Sequence, residues 1–204
     1  MKTKPRNFEQ ARKYAADRLE RELSPRLFYH RMSHTTEEVV PAVEKLADME
    51  GVKGESLELL LVAAWFHDLG YTVQPLYHEL ISARIASQEL PGFGYKIDQI
   101  ETIRWAILAT ALPQSPTTLL ERILVDADLD VLGRETFSIR SEDLRRELAG
   151  FGRESTDAEW HTSQLNFLKS HEYFTESARA LRNSGKQKNI TALQRVLEEI
   201  DLKK

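Results

Sequence analysis

The stretch LELLLVAAWF, residues 57–66, runs directly into HDLGY, residues 67–71. Glu58 is the one charged residue in the first ten, so the segment is apolar on nearly every side of a helix and is predicted to lie at the centre of the fold. His67 and Asp68 follow where that helix ends. Because an unpaired buried carboxylate costs several kcal/mol, Asp68 needs a partner, and a divalent cation with imidazole and carboxylate ligands would serve. The alternative is a core histidine followed by a hydrated turn aspartate.

The rest of the chain is predicted to be helical as well. Glycine, proline and capping residues separate segments of helical periodicity, and no segment of useful length alternates as a strand. Asn7, Thr35 and the pair Ser115-Pro116 are predicted to begin helices. The sequence predicts an all-α fold with further helices at about 7–23, 35–50, 78–90, 98–111, 115–132, 141–149, 157–182 and 190–202, and with a loop at RNSGKQKN, residues 182–189. A length of 204 residues suits a single domain.

Composition excludes several classes of function. The chain has no cysteine, which excludes disulfides, thiolate zinc sites and a cysteine nucleophile. A formal net charge of −4 provides no global basic field, so nucleic acid is not expected as a main partner. The N-terminus lacks the apolar segment of a signal peptide, and the longest apolar run, about ten residues, is half of what a membrane span requires. We therefore expect a cytoplasmic protein with no membrane partner.

Two histidines in FYHRMSHTTEEVV, residues 28–40, form a second polar feature. His30 and His34 are four residues apart and would share one face of a helix. The pair could chelate one metal, or one histidine could bind the metal while the other transfers a proton. The competing interpretation is two imidazoles on the surface.

The third polar feature is ILVDADLDVLG, residues 123–133. Asp126 lies inside an apolar helical stretch, where a carboxylate needs compensation that a metal could supply. Asp128 and Asp130 are predicted to lie on the solvated face of the same helix.

Taken together, these segments resemble a known family. FYHRMSHTTEEVV, LVAAWFHDLGY, HELISARIA, ILAT and VDADLDVLG occur in the order found in a bacterial branch of the HD superfamily of metal-dependent phosphohydrolases. The resemblance implies an HD-domain-like helical bundle over residues 1–204 with the metal site at its centre. The motif core covers about 25–135, and helices in 136–204 complete the bundle. The pattern H…HD…D implies a ligand set of His34, His67, Asp68 and Asp126.

The resemblance also implies catalytic roles. The YHxxxH spacing is similar to that of cyclic-nucleotide phosphodiesterases, which implies that His30 is a general acid, although Arg31 stands where those enzymes have asparagine. Glu79 matches an acidic position near the metal and would orient water, and Asp68 could accept a proton as well as bind the cation. HD proteins with several metals have two more histidines before the last aspartate, whereas this chain has only His78 there, so one metal is expected.

The function that follows is hydrolysis of a phosphate ester by metal-activated water. The cofactor would be one divalent cation, with Mn, Fe, Ni, Co, Zn and Mg all compatible with these ligand types. The expected partner is a small phosphorylated substrate of the nucleotide class, and a homodimer is possible. The alternative is a non-catalytic or regulatory helical module that keeps a structural metal site.

Overall fold

The computed structural model describes residues 5–202, which form helices and connecting turns without a strand in that range. The α-helices are α1 (Phe8–Glu22), α2 (Val40–Met49), α3 (Gly54–Phe66), α4 (His78–Glu89), α5 (Ile97–Leu108), α6 (Leu119–Asp128), α7 (Phe137–Gly150), α8 (Asp157–Ser170) and α9 (Glu176–Asp201). A π-helical turn precedes α2 at His34–Val39, and short 3-10 helices lie at Leu69–Thr72, Leu90–Phe93 and Asp130–Gly133. The predicted all-α class is confirmed.

Helix α3 is the centre of the bundle. It packs against α1, α2, α4, α5 and α6. Its second half is buried on every side: Val62, Ala63 and Ala64 are each at most 1% exposed, and Phe66 is fully buried. A helix that is apolar all round is stable only when other helices cover it, which explains why this segment sets the arrangement of its neighbours.

The start of α2 and the bounds of α6 differ from the sequence prediction. Thr35 was expected to cap α2, but it lies in the π-helical turn and is 1% exposed. Helix α6 begins after Thr118, whose hydroxyl accepts the backbone N–H of Glu121 while the Glu121 carboxylate accepts that of Thr118. This reciprocal capping box determines the start of α6, rather than the Ser-Pro pair upstream. The helix then ends at Asp128, four residues before the predicted end.

The predicted loop at 182–189 is wrong, because α9 continues through it. Gly185 lies in this stretch, and a Cβ there would lie 2.0 Å from the carbonyl oxygen of Gly133. In the same way, a Cβ on Gly133 would lie 2.5 Å from the carbonyl oxygen of Arg182. The two glycines therefore allow α9 to touch the backbone of the 3-10 helix at Asp130–Gly133. The predicted 157–182 helix is divided into α8 and α9 by residues 171–175.

Gly185→Ala is expected to destabilise the protein by about 1–3 kcal/mol, since the added methyl group would overlap a backbone carbonyl. An alanine in a helix normally stabilises relative to glycine. Urea unfolding followed by circular dichroism measures the difference. Gly150→Ala, at the end of α7, is the matched control, because its Cβ would meet only Arg26 at 3.9 Å. Equal stability of the two variants would show that the close contact is unimportant.

Among the residues that the structure describes, no helix is both long enough and apolar enough to cross a membrane.

Candidate metal centre

Three helical segments bring polar side chains to one place in the bundle. His34 opens the π-helical turn before α2, and His67 and Asp68 directly follow the end of α3. Asp128 is the last residue of α6. His34, His67 and Asp68 are 1%, 1% and 4% exposed, so this cluster is inside the protein.

The distances between these side chains are short enough for one cation to contact all of them. One ligand atom from each of His34, His67 and Asp68 lies within 4.8 Å of the others. The Nε2 atom of His34 is 3.1 Å from Asp128 Oδ1 and 3.8 Å from Asp68 Oδ2. The Nε2 atom of His67 is 3.2 Å from Asp68 Oδ2 and 3.5 Å from Asp128 Oδ1.

Both imidazoles are oriented by their other nitrogen. His67 Nδ1 lies 2.7 Å from the carbonyl oxygen of Ala64, so it carries the proton and leaves the Nε2 lone pair free. His34 Nδ1 lies 2.9 Å from Glu38 Oε2, and Arg140 of α7 holds that carboxylate through an Nε–Oε1 contact of 2.8 Å. A carboxylate or carbonyl behind the imidazole is the usual support of a metal-binding histidine.

The charges of the cluster are strongly coupled. Burial disfavours the protonated form of His34, but the contacts with Asp128 and Glu38 outweigh it and raise the His34 pKa to about 9. Burial also opposes protonation of His67, yet the charge of Asp68 raises the His67 pKa well above its usual value. Burial alone would raise the pKa values of Asp68 and Asp128, but their contacts with the two histidines hold both well below the ordinary range. Without a cation, protons on the imidazoles balance the carboxylates.

A divalent cation fits this donor set. His67 Nε2 and Asp68 Oδ2 are buried and have no hydrogen-bond partner among the described residues. Such atoms are costly to bury unless something else satisfies them. Two imidazole nitrogens with carboxylate oxygens and no sulfur suit Zn, Fe, Mn, Co and Ni.

The comparisons agree with this geometry. A family model described as HD domain matches residues 31–130, which include His34, His67, Asp68 and Asp128. The chain belongs to the HD superfamily. Members of this superfamily are metal-dependent hydrolases, and the helical core with a buried His-His-Asp cluster is the part of the chain that carries the resemblance.

The HD fold extends beyond the matched segment. The structure of a predicted HD superfamily hydrolase from an uncultured Thermotogales bacterium superimposes on this chain with a TM-score of 0.63 and 21% sequence identity. The match covers 94% of this chain and 91% of the other. Helices α7, α8 and α9 therefore have counterparts in that protein. No curated protein matches the sequence.

Asp126 was predicted as a metal ligand, but in the structure its carboxylate is bonded elsewhere and is not part of the His-His-Asp cluster. Its Oδ1 accepts the backbone N–H of Phe174 at 2.8 Å, and its Oδ2 accepts the N–H and hydroxyl of Thr175, both at 2.7 Å. Asp126 is fully buried, and it satisfies its charge by tying α6 to the segment between α8 and α9. Asp128, which was predicted to lie on the solvated face, is only partly exposed, and its Oδ1 lies 3.1 Å from His34 Nε2 and 3.5 Å from His67 Nε2.

Substitution of the two aspartates separates these roles. Asp126→Ala is expected to lower the free energy of unfolding by about 2–4 kcal/mol, because buried donors of Phe174 and Thr175 lose their acceptor, while bound metal is retained. Asp128→Ala is expected to weaken metal binding more than about 100-fold with little loss of stability. Calorimetric titration of metal into each variant, after its folded state is verified, checks both. Loss of metal in Asp126→Ala, with metal retained in Asp128→Ala, would instead support Asp126 as the metal ligand.

His30 lies beside the centre, where the sequence analysis expected it. Its Nδ1 is 2.5 Å from Oε1 of Glu147 on α7, and its Nε2 is 3.1 Å from the hydroxyl of Tyr71. The rings of His30 and Tyr71 stack at 4.1 Å, and the His30 and His34 ring centroids are 5.9 Å apart. The other Glu147 oxygen accepts the backbone N–H groups of Tyr29 and His30. His30 is thus fixed near the centre without being part of the His-His-Asp cluster, and its role as an acid stays a prediction.

Glu79 lies at the first turn of α4 with its Oε2 3.5 Å from Nδ1 of His78. It is not a member of the His-His-Asp cluster, and its catalytic role also stays a prediction. His78 is closer to the centre, since its Nε2 is 3.6 Å from Asp68 Oδ1. Gly70 permits this approach: a Cβ there would lie 2.0 Å from the carbonyl oxygen of His78. The glycine in HDLGY is therefore required for packing against the start of α4.

Sequence reasoning missed Asp128, Glu147 and Arg140. Asp128 had a usable signal, because it ends an apolar helix in the same way as His67 and Asp68 end α3. Glu147 and Arg140 had none, since each lies in a polar helix more than 100 residues from its partner.

Proposed function

We propose that this protein is a metal-dependent phosphohydrolase that hydrolyses a phosphate ester of a nucleotide or a related small molecule. The observation that carries the proposal is the convergence of His34, His67, Asp68 and Asp128, in which the buried atoms His67 Nε2 and Asp68 Oδ2 have no hydrogen-bond partner among the described residues. A divalent cation held there supplies a Lewis acid for a phosphoryl oxygen and lowers the pKa of water.

Asp68 has a second role in this proposal. Its Oδ2 faces the two imidazole Nε2 atoms, and its Oδ1 is 3.6 Å from His78 Nε2. Asp68 Oδ2 would therefore help to hold the cation, and Oδ1 would accept the proton that the attacking water loses.

His30 is proposed to protonate the leaving oxygen of the ester. The buried Glu147 carboxylate holds Nδ1 of His30, so Nε2 is the nitrogen that is left to donate a proton. The Tyr71 hydroxyl lies 3.1 Å from Nε2, so an oxygen atom can lie within hydrogen-bonding distance of this nitrogen. After donation, the proton that Asp68 accepted is released to solvent or returned to His30.

An apolar cavity supports a substrate with a flat, apolar part such as a nucleobase. The cavity has a volume of about 200 Å³ and is lined by Tyr29, Leu129, Phe137, Arg140 and Leu144, among others. The Tyr29 ring centroid is 4.9 Å from that of His34, so one aromatic side chain borders both the cavity and the centre. Arg140 and Ser141 add polar groups to the apolar wall.

Filling the cavity is expected to affect a nucleotide and a small ester differently. Leu144→Trp should raise the KM for a nucleotide monophosphate about tenfold and leave that for p-nitrophenyl phosphate unchanged, because only the nucleotide needs the occupied space. Steady-state kinetics with each metal gives both values. An equal rise in KM for the two esters would show that the nucleobase does not occupy this cavity.

The direct test of the function is a panel of phosphate monoesters, cyclic nucleotides and nucleoside triphosphates assayed with each metal in the wild type and in Asp68→Ala. Release of phosphate, or opening of a cyclic ester, by the wild type alone supports the proposal. Tight metal binding without turnover of any ester would favour the helical module with a structural metal site.

A further inference from the structure

A second polar site lies where α8 ends and α9 passes it. The groove has a volume of about 540 Å³, and none of its lining residues belongs to the metal centre. Its polar lining includes Lys169, His171, Glu172, Arg179, Asn183 and Lys186. These residues come from two helices and the segment between them.

Lys186 is a buried cation without a carboxylate partner. It is 6% exposed, and its Nζ donates to the carbonyl oxygen of His171 and lies 5.5 Å from the centre of the Tyr173 ring. Lys186 forms no salt bridge within 4.0 Å among residues 5–202, and the carboxylate whose charge acts on it is that of Glu172. An ammonium has three N–H donors, so a single carbonyl leaves most of its hydrogen-bonding capacity unused. A buried charge of this kind is costly unless an anion compensates it.

His171 is a second buried polar side chain at this groove. The side chain is 8% exposed and packs edge-on against Tyr173, with ring centroids 4.6 Å apart. Neither ring nitrogen has a hydrogen-bond partner among the described residues. Burial, reinforced by the charge of Lys186, lowers the pKa of His171 to about 4, so the ring is neutral and offers one N–H donor at neutral pH.

The charges around the groove define the ligand. Lys169, Arg179 and Lys186 are cationic, and Glu172 is the one carboxylate among the lining residues, which leaves an excess of two positive charges. Arg179 is fixed in place, because its Nη1 donates to the carbonyl oxygens of Tyr173 and Phe174. A doubly charged anion with several acceptor oxygens matches this set.

We propose that this groove binds a phosphate dianion, free or as a monoester, with Lys186 and Arg179 balancing its charge and His171 donating a hydrogen bond. This site is separate from the metal centre and does not depend on the proposed hydrolytic function. The segment that forms its wall, residues 171–173, leads directly to the backbone amides of Phe174 and Thr175 that bind Asp126.

The experiment is a titration followed by the imidazole C–H signals of histidine in the NMR spectrum. Inorganic phosphate and methylphosphonate are added separately at constant ionic strength, and the His171 signals are assigned from their absence in His171→Gln. Both anions are expected to shift these signals in a saturable way in the wild type and also in Asp68→Asn. A response to phosphate alone would identify the free ion as the ligand.

Two lysine variants form the matched pair. Lys186→Met is expected to weaken phosphate binding about tenfold or more, whereas Lys188→Met, an exposed lysine two residues along α9, should leave it unchanged. Lys169 lies on the exposed rim of the groove, and Lys169→Gln should weaken phosphate binding about threefold. This variant tests the proposal if Lys186→Met does not fold. The proposal is overturned if phosphate leaves the His171 signals unshifted, if the shift disappears in Asp68→Asn, or if neither Lys186→Met nor Lys169→Gln changes the affinity.

Discussion

Asp68→Ala is expected to reduce phosphate-ester turnover by about a thousandfold or more. The substitution removes the carboxylate that approaches His34, His67 and His78 at 3.2–3.8 Å, and with it both a metal ligand and the proposed proton acceptor. Steady-state kinetics on the wild type and the variant, with the metal that supports the highest activity, measures the effect.

The folded state of the variant needs a separate control, because His34 and His67 remain buried after they lose their contacts with Asp68. Circular dichroism establishes whether the helices persist. His161→Ala, on α8 and outside the centre, should retain both metal and turnover. Wild-type activity in Asp68→Ala would mean that hydrolysis takes place elsewhere.

His30→Ala is expected to lower kcat by about 10²–10⁴-fold while metal content stays at the wild-type level. The reason is geometric: Nδ1 of His30 is held by Glu147 and its Nε2 contacts Tyr71, so the ring is next to the centre but is not in the ligand cluster. Loss of metal in this variant would instead identify His30 as a ligand.

Glu147→Gln provides the graded comparison for His30. It keeps the size of the side chain but removes the carboxylate charge that contacts Nδ1 of His30, and it is expected to lower kcat about 10–100-fold. A substrate whose leaving group needs no protonation, such as p-nitrophenyl phosphate, should be affected much less by either variant. Equal losses for good and poor leaving groups would show that the pair has only a structural role.

The fold could be predicted from the sequence wherever apolar periodicity and local capping agree. Helix α3 was predicted from its composition, and α1 from Asn7, whose side chain does accept the N–H of Gln10. The course of helix α9 could not be predicted correctly. Gly185 is needed because the carbonyl oxygen of Gly133 lies against it, and the sequence does not show that contact. A glycine can end a helix, or it can lie inside a helix where another backbone approaches closely. Only the tertiary structure distinguishes the two cases.

The centre was predictable in part for a similar reason. His34, His67 and Asp68 are buried polar residues that do gather into one cluster. Asp126 was predicted to be a metal ligand because a buried carboxylate needs a compensating partner. The sequence does not show which partner that is, and in the structure the backbone amides of Phe174 and Thr175 take this role. Those amides are almost 50 residues away, and no local pattern indicates that they face α6.

Elemental analysis by mass spectrometry tests the central claim most directly. The wild type and Asp68→Ala are purified without a chelator or a histidine tag and, if necessary, reconstituted with Mn or Mg before analysis. A bound divalent metal of about one equivalent in the wild type and none in folded Asp68→Ala is the predicted result. Equal metal content in the two proteins, or a wild type that binds no metal even after reconstitution, would contradict a metal centre built on His34, His67, Asp68 and Asp128.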